Sequence, residues 1–155
     1  MRWSDYDSDT CSIARSLEVL GDRWTLLLMR DLINGVHRFE ELRSHLGVSR
    51  DVLSRRLAAL VAAGVVERRA YRDEGERGRT SYHLTAAGRE LQPVLVSLMA
   101  WGDRHLSAAD GPPAVLEHVG CGGAVTTTLT CDRGHEAPTS DVRLRPTATA
   151  RLRGV

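Results

Sequence analysis

Apolar residues recur at helical spacing along the first third of the chain. Such spacing places them on one face of a helix, and it predicts three helices before residue 47. The three apolar sets are Ile13, Leu17 and Leu20, then the run RWTLLLMRDLI over residues 23–33, and then Phe39, Leu42 and Leu46 in a helix over about 38–46.

The next stretch, GVSRDVLSRRLAALVAAGVVERR, predicts a tight turn followed by a fourth helix. Ser49 is a suitable N-cap, and Gly64 suits the position just after the helix. Leu53, Leu57 and Leu60 share the inward face, while arginines lie on and beside the polar face. Two short helices joined by a glycine turn, with a basic second helix, predict a helix-turn-helix.

After this helix the pattern changes to alternation, which indicates two strands joined by a polar, glycine-containing tip. A hairpin in this position is a wing. A long helix over 86–105 follows. Its apolar residues give one stripe for packing and a second edge for a partner chain: Leu91, Val94, Leu95, Leu98 and Trp101.

The composition shifts again at the linker Asp110-Gly-Pro-Pro. We therefore expect three parts: a flexible N-terminus over 1–10, a winged helix-turn-helix domain for DNA binding and dimerisation over 11–109, and an extension over 110–155. The extension is β-prone and predicts a hairpin with a weakly ordered end. The predicted fold class is mostly α with a β-wing, plus this small β extension.

Composition bounds the function only loosely. The formal net charge is +1, so no global basic field points to nucleic acid, and local charge must carry that argument. All 21 basic residues are arginine, which, with the many alanines and glycines, favours a GC-rich actinobacterial genome. No signal peptide or apolar run of membrane-spanning length is present, so we expect a cytoplasmic protein without membrane association.

Residues 11–102 resemble the HxlR family of bacterial winged helix-turn-helix regulators. The matching pieces occur in order and are LGDRWTLLLMRDL, RFEELRSHL, VLSRRLAALVAAGVVERR and YHLTAAGRELQPVLVSLMAWG, preceded by the single Cys11. The resemblance implies a homodimer formed through the first helix and the helix 86–105, and binding to inverted-repeat operator DNA. It also implies an effector, which in some members is an oxidant sensed by the N-terminal cysteine and in others a small molecule.

The candidate DNA contacts lie on the fourth helix, at its N-terminus and in the wing. Arginine can hold guanine O6 and N7 with two hydrogen bonds, and a flexible arginine suits a narrow minor groove. Arg56 lies nearer the core side, where an acidic neighbour is an alternative partner. The predicted contacts are Arg38, Ser49, Arg50, Ser54, Arg55, Arg56, Arg77 and Arg79. The alternative for each is a solvated arginine or an internal ion pair, above all for Arg68 and Arg69.

Two groups of cysteines and histidines are candidates for other chemistry. Cys11 lies at the start of the first helix, where the helix dipole favours a thiolate, and it is the candidate redox sensor. An inert packing cysteine is the alternative. His118, Cys121, Cys131 and His135 are spaced as two ligand pairs on a hairpin and are the candidate ligands of a structural zinc. A lost zinc site or a Cys121–Cys131 pair are the alternatives.

The leading hypothesis is a homodimeric DNA-binding transcriptional regulator, with repression favoured over activation. The alternative is a winged-helix module that binds protein or metal without an operator. An enzyme is not expected, because the sequence contains no phosphate loop, no H-E-x-x-H and no G-x-S-x-G.

Overall fold

The computed structural model describes residues 2–72, 78–106 and 110–153. The chain divides into two compact units: Met1–Leu91 together with Pro146–Val155, and Gln92–Arg145. The sequence predicts a domain boundary before residue 110. In the structure, the helix that begins at Gln92 belongs instead to the same unit as the extension.

The first unit begins with three helices, α1 (Ser12–Leu20), α2 (Arg23–Ile33) and α3 (Phe39–Leu46), as their apolar spacing predicts. They are followed by α4 (Arg50–Ala62), the hairpin β1 (Val66–Tyr71) and β2 (Arg79–Leu84), and the single turn α5 (Ala86–Arg89). The core of this unit is aliphatic. Its most buried side chains include Leu28, Leu32, Leu42, Leu53, Leu57, Leu60 and Val66.

The connection between α3 and α4 is three residues long. Gly47 adopts a left-handed conformation with φ of 64°, which glycine reaches without the steric cost of a Cβ, and it ends α3. Ser49 then caps α4, its hydroxyl accepting the backbone N–H of Val52. Gly64, with φ of 70°, follows the end of α4. The predicted turn, cap and stop are therefore confirmed.

The wing is a two-stranded antiparallel sheet in which Val66 pairs with Leu84 and Tyr71 with Arg79. The backbone just before α3 adds to it, since the Tyr82 N–H donates to the His37 carbonyl at 2.9 Å and Arg38 forms a bridge with Ser81. The base of the hairpin is thus fixed to the connection between α2 and α3.

The prediction of one long helix over 86–105 is wrong in one respect. The structure contains two helices, α5 and α6 (Gln92–Leu106), separated at residues 90–91. Pro93 explains the break. Proline has no N–H to donate and its ring collides with the carbonyl four residues earlier, so it fits the first turn of a helix but not its interior.

The second unit contains α6 and the segment after it. Backbone hydrogen bonds join Val125 to Leu116 and His118 to Gly123, and bridges pair Glu117 with Ala124 and Thr130 with Glu136. The segment predicted as a β extension consists of short turns joined by isolated bridges, and its described residues contain no regular strand.

The two ends of the chain pair with each other inside the first unit. Tyr6 forms an antiparallel bridge with Leu152, and Arg153 donates its N–H to the Asp5 carbonyl at 2.9 Å. The sequence predicts a loose N-terminus and a weakly ordered end, because neither has an apolar pattern; the pairing rests on backbone hydrogen bonds, which leave no pattern in sequence. Among the described residues, no helix is long and apolar enough to cross a membrane.

Candidate nucleic-acid interface

The outer face of α4 is polar and open to solvent. Leu53, Leu57 and Leu60 are at most 1% exposed, so the opposite side of the helix faces away from the core. Ser54 and Arg55 are exposed on that side, and no ion pair engages Arg55 in the part of the chain that the structure describes. An arginine presented in this way on a short helix is suited to the edge of a guanine or to a phosphate.

Arg50 has an internal partner. Its guanidinium forms an ion pair with Glu40 of α3 and lies over the Phe39 ring, 5.1 Å from the centroid. Glu40 also accepts a 2.7 Å hydrogen bond from Arg43 Nε. The Arg43 hydrogen bond and then the charge of Arg50 hold the pKa of Glu40 below its usual range, despite opposition from burial. Glu40 is therefore a carboxylate that links Arg43 of α3 to Arg50 at the start of α4.

Arg56 lies on the inner side of α4 and is not presented outward. Its Nη2 donates to Asp22 Oδ2 at 2.6 Å, with both side chains less than one-third exposed. Asp22 is also the N-cap of α2, accepting the Trp24 N–H at 2.9 Å. The structure therefore gives Arg56 the acidic neighbour that the sequence analysis left open as its alternative.

The arginines in and near the wing differ in their surroundings. Arg69 forms an ion pair with Glu67 on the same strand, so the internal salt bridge considered for it is present. Arg38 occupies the N-cap position of α3 without a side-chain capping hydrogen bond, and its guanidinium lies 4.9 Å from the centroid of the Tyr71 ring. Arg79 is exposed at the first residue of β2. Arg77 lies outside the described residues.

Two histidine rings meet at the base of the wing. His37 and His83 have ring centroids 4.2 Å apart, and His83 Nε2 lies 2.9 Å from the Ser81 hydroxyl. Burial, followed by the charges of His37 and Arg69, lowers the pKa of His83 below its ordinary value of 6.5. The neutral form of His83 is therefore favoured in the fold.

Cys11 is the N-cap residue of α1 and is a half-buried free thiol. Its side chain makes no capping hydrogen bond, and its backbone N–H donates to the Ser8 carbonyl at 2.9 Å. The predicted position at the start of the first helix is confirmed.

The four candidate zinc ligands lie on two separate turns. His118 Nδ1 and Cys121 Sγ are 3.2 Å apart on the first turn, and Cys131 and His135 are joined by a backbone hydrogen bond across the second. Hydrogen bonds from the backbone N–H groups of Arg133 and His135 lower the pKa of the exposed Cys131 thiol. Over the described residues, no group of three or more His, Cys, Asp or Glu side chains is placed to hold a metal. The structure thus places the side chains of His118 and Cys121 together but does not bring the four candidate ligands into one group, and the zinc site stays a prediction.

Sequence reasoning missed the contacts that join distant elements. Glu40 with Arg50, and His37 with His83, are separated by 10 and 46 residues, and neither pair falls in one periodic pattern. The sequence shows Glu40 only as an acidic residue in the first turn of α3. Such residues are common there because they interact favourably with the helix dipole, so the position did not predict the pair with Arg50.

Comparison with known proteins agrees with this geometry. The model of the HxlR-like helix-turn-helix family matches residues 19–110. The uncharacterized HTH-type transcriptional regulator Rv3095 of Mycobacterium tuberculosis is 42% identical over 136 residues, which span 87% of this chain and 85% of that protein.

Two solved structures extend the comparison. The proposed transcription factor PA1607 is similar over 89% of this chain and 96% of its own, with a TM-score of 0.77 and 32% identity. The redox regulator HypR in its reduced form is similar over 59% of this chain and 90% of its own, with a TM-score of 0.53 and 30% identity. These relatives are transcription regulators and not enzymes. The chain belongs to the HxlR-like helix-turn-helix family of transcriptional regulators.

Proposed function

We propose that the protein binds an inverted-repeat operator as a homodimer, with α4 of each subunit in the major groove. The observation that carries the proposal is the outward face of α4, where Ser54 and Arg55 are exposed opposite three buried leucines. The groove of B-DNA admits a helix, and two such helices related by a two-fold axis read half-sites about 34–36 Å apart.

The Ser49 end of α4 supports the same orientation. The N–H groups of a first helical turn attract phosphate, and Ser49 lies beside the exposed Arg50. The Arg50–Glu40 pair is at the surface, where ion pairs contribute little, so a DNA phosphate can replace Glu40 as the partner of Arg50. Arg38 and Arg79 would add contacts from the start of α3 and from the wing.

Exposed apolar stripes support dimerisation. On α1, Ile13 and Leu17 are 64% and 56% exposed, one turn apart. On α6, the exposed residues are Val94, Leu98 and Trp101, at spacings of four and three. Stripes of this kind on two helices are suited to burial by a second copy of the chain.

Cys11 is our candidate for the switch. The redox regulator HypR is a structural relative, and Cys11 is a free thiol at the start of α1, the helix that carries one of the exposed stripes. Oxidation of Cys11 would alter the packing of α1 against a second subunit and thereby the spacing of the two α4 helices. An operator overlapping a promoter would make the protein a repressor, acting in the cytoplasm where the bacterial chromosome lies.

Fluorescence anisotropy with the DNA upstream of the protein's own gene tests operator binding. We expect Arg55→Ala to weaken specific binding by about 1–3 kcal/mol and to relax the preference at one base position. Arg145→Ala is the matched control. It removes the same charge from an exposed position in the second unit, whereas the proposed DNA contacts lie in the first. If Arg55→Ala leaves both affinity and preference unchanged, the groove contact is wrong. If a genome-wide selection finds no bound DNA, the winged-helix interaction module becomes the better description.

The switch is tested with the same DNA and with reduced and diamide-treated protein. Oxidation should change the affinity of the wild type and leave Cys11→Ser unaffected, while the double variant Cys121→Ser/Cys131→Ser should respond as the wild type does. A response that persists in Cys11→Ser would assign the sensing to the other cysteines.

A further inference from the structure

One cavity lies wholly inside the second unit and is independent of the proposed DNA contacts. It is bounded by one face of α6 and by the paired segments 114–116 and 124–126, is open to solvent on one side, and has a volume of about 360 Å³. The Ser97 hydroxyl donates to the Thr127 hydroxyl at 3.2 Å and ties the second segment to the helix. Backbone pairing of Val125 with Leu116 holds the two segments together.

The lining is mostly apolar and has the size of a small-molecule site. Val96, Met99 and Ala100 face the cavity from the helix, and Val115 and Val125 face it from the segments. Pockets for small ligands start at about 300 Å³ and combine apolar walls with a few polar groups that fix orientation. Val115 remains 71% exposed, so the chain itself leaves apolar surface here for a ligand to cover.

The charged groups in the described lining are Asp103 and Arg104. Asp103 lies seven residues after Val96, on the same helical stripe, and is half-buried. No ion pair engages it in the part of the chain that the structure describes. It also lies in the last turn of α6, where the helix dipole disfavours a negative charge. Arg104 is exposed, so water solvates its guanidinium at the cavity edge.

From this arrangement we propose that the cavity binds a small, mostly apolar organic molecule bearing a cationic nitrogen, which pairs with Asp103. A cationic partner stabilises the half-buried Asp103 carboxylate, which has no counter-charge among the described residues, more than an anionic partner stabilises the solvated Arg104 guanidinium. Met99 has an unbranched, flexible side chain that adapts to ligands of differing shape.

The site bears on regulation because α6 has two apolar faces. Val96, Met99 and Ala100 line the cavity, whereas Val94, Leu98 and Trp101 form the exposed stripe assigned above to dimerisation. A ligand in the cavity therefore contacts the back of the helix that the proposed dimer uses. This regulatory consequence rests on the proposed function, whereas the binding itself does not.

The test uses the full-length protein without DNA, so that its failure leaves operator binding unaffected. The probes are 4-phenylbutylamine, 4-phenylbutanol and 4-phenylbutyrate, which match in size and differ in charge. Calorimetric titration should show the amine binding best, with a loss of about tenfold in Asp103→Asn. Asp132→Asn neutralises an exposed carboxylate of the same unit outside the lining, so it is the matched control and should retain amine binding.

Methyl NMR locates the ligand without any substitution. In protein with labelled methionine methyls, the Met99 signal should shift on titration with the amine, while Met29, buried in the first unit at 1% exposure, should not. A Met99 signal that does not move would overturn the site. Preference for the butyrate, or equal binding of all three probes, would overturn the cationic class of ligand.

Discussion

Arg56 of α4 donates a hydrogen bond to Asp22 across 34 residues of sequence, with 2.6 Å between Nη2 and Oδ2. Asp22 simultaneously caps α2, so one carboxylate joins the start of α2 to the helix proposed to enter DNA. The contact is internal to the fold, and its contribution should therefore appear in stability and not in base preference.

Arg56→Ala should lower the free energy of unfolding by about 1–3 kcal/mol, because it leaves a partly buried carboxylate without its charged partner. Asp22→Asn keeps a capping side chain but loses the charge, while Asp22→Ala loses both and should cost about 1 kcal/mol more. Urea denaturation measures these differences. Should Arg56→Ala change the base preference while leaving stability intact, the internal role assigned to Arg56 is wrong.

Gly88 of α5 lies where a side chain has no room. A Cβ there would meet the Val65 carbonyl oxygen and lie 3.1 Å from a Leu84 methyl. We expect Gly88→Ala to destabilise the fold by about 1–3 kcal/mol, because backbone must shift to relieve the contact.

Gly102→Ala is the matched control for Gly88→Ala. Gly102 is a helical glycine, and apart from its chain neighbours and the nearby helix backbone no atom of the described residues lies within 4 Å of the added Cβ. Alanine should therefore be neutral or stabilise α6 by about 0.5–1 kcal/mol. Thermal unfolding of both variants decides the point. Equal effects would mean that the close approach at Gly88 is absent in solution.

His83 should make stability depend on pH. Its pKa in the fold lies below the ordinary 6.5, so the unfolded chain binds more protons between those two values. The contribution is therefore fully present above about pH 6.5 and is lost as the pH falls towards the lower, folded-state pKa.

The test of this pH dependence substitutes His83, and its control substitutes a histidine outside the wing. His83→Gln should flatten the fall in unfolding free energy below pH 6.5, whereas substitution of the exposed His105 should leave the fall in place. The groups facing His83 are His37, Arg69 and Glu67, and His37→Gln should raise the pKa of His83 in an NMR titration. A His83 pKa that stays at or above 6.5 in the wild type would contradict the burial of the ring.

The zinc predicted from the sequence has its own test. If the four candidate ligands bind zinc, protein purified without chelator should contain one zinc ion per chain, which is released on modification of thiols and lost in Cys131→Ser. The two turns would then have to approach one another around the metal, since each holds only one ligand pair in the structure. Metal-free protein that folds normally would leave His118 and Cys121 as a local hydrogen-bonded pair.

Several elements could be predicted because their causes are local. The run from Gly47 to Gly64 contains its own turn, cap, apolar stripe and stop, so α4 was predictable from adjacent residues. The effect of Pro93 on the helix is equally local. However, the apolar spacing continues on both sides of Pro93, so the periodic pattern predicted one helix instead of α5 and α6.

The sequence by itself determined the helix-turn-helix, the wing and the position of Cys11, because periodicity, caps and glycines act within a few residues of chain. Only the tertiary structure decided which arginines on α4 have a partner within the fold. Arg50 and Arg56 are paired with Glu40 and Asp22, which come from other helices, while Arg55 projects outward. A side chain's availability depends on which charges folding brings beside it, and contacts between elements distant in sequence leave no periodic pattern from which to predict them.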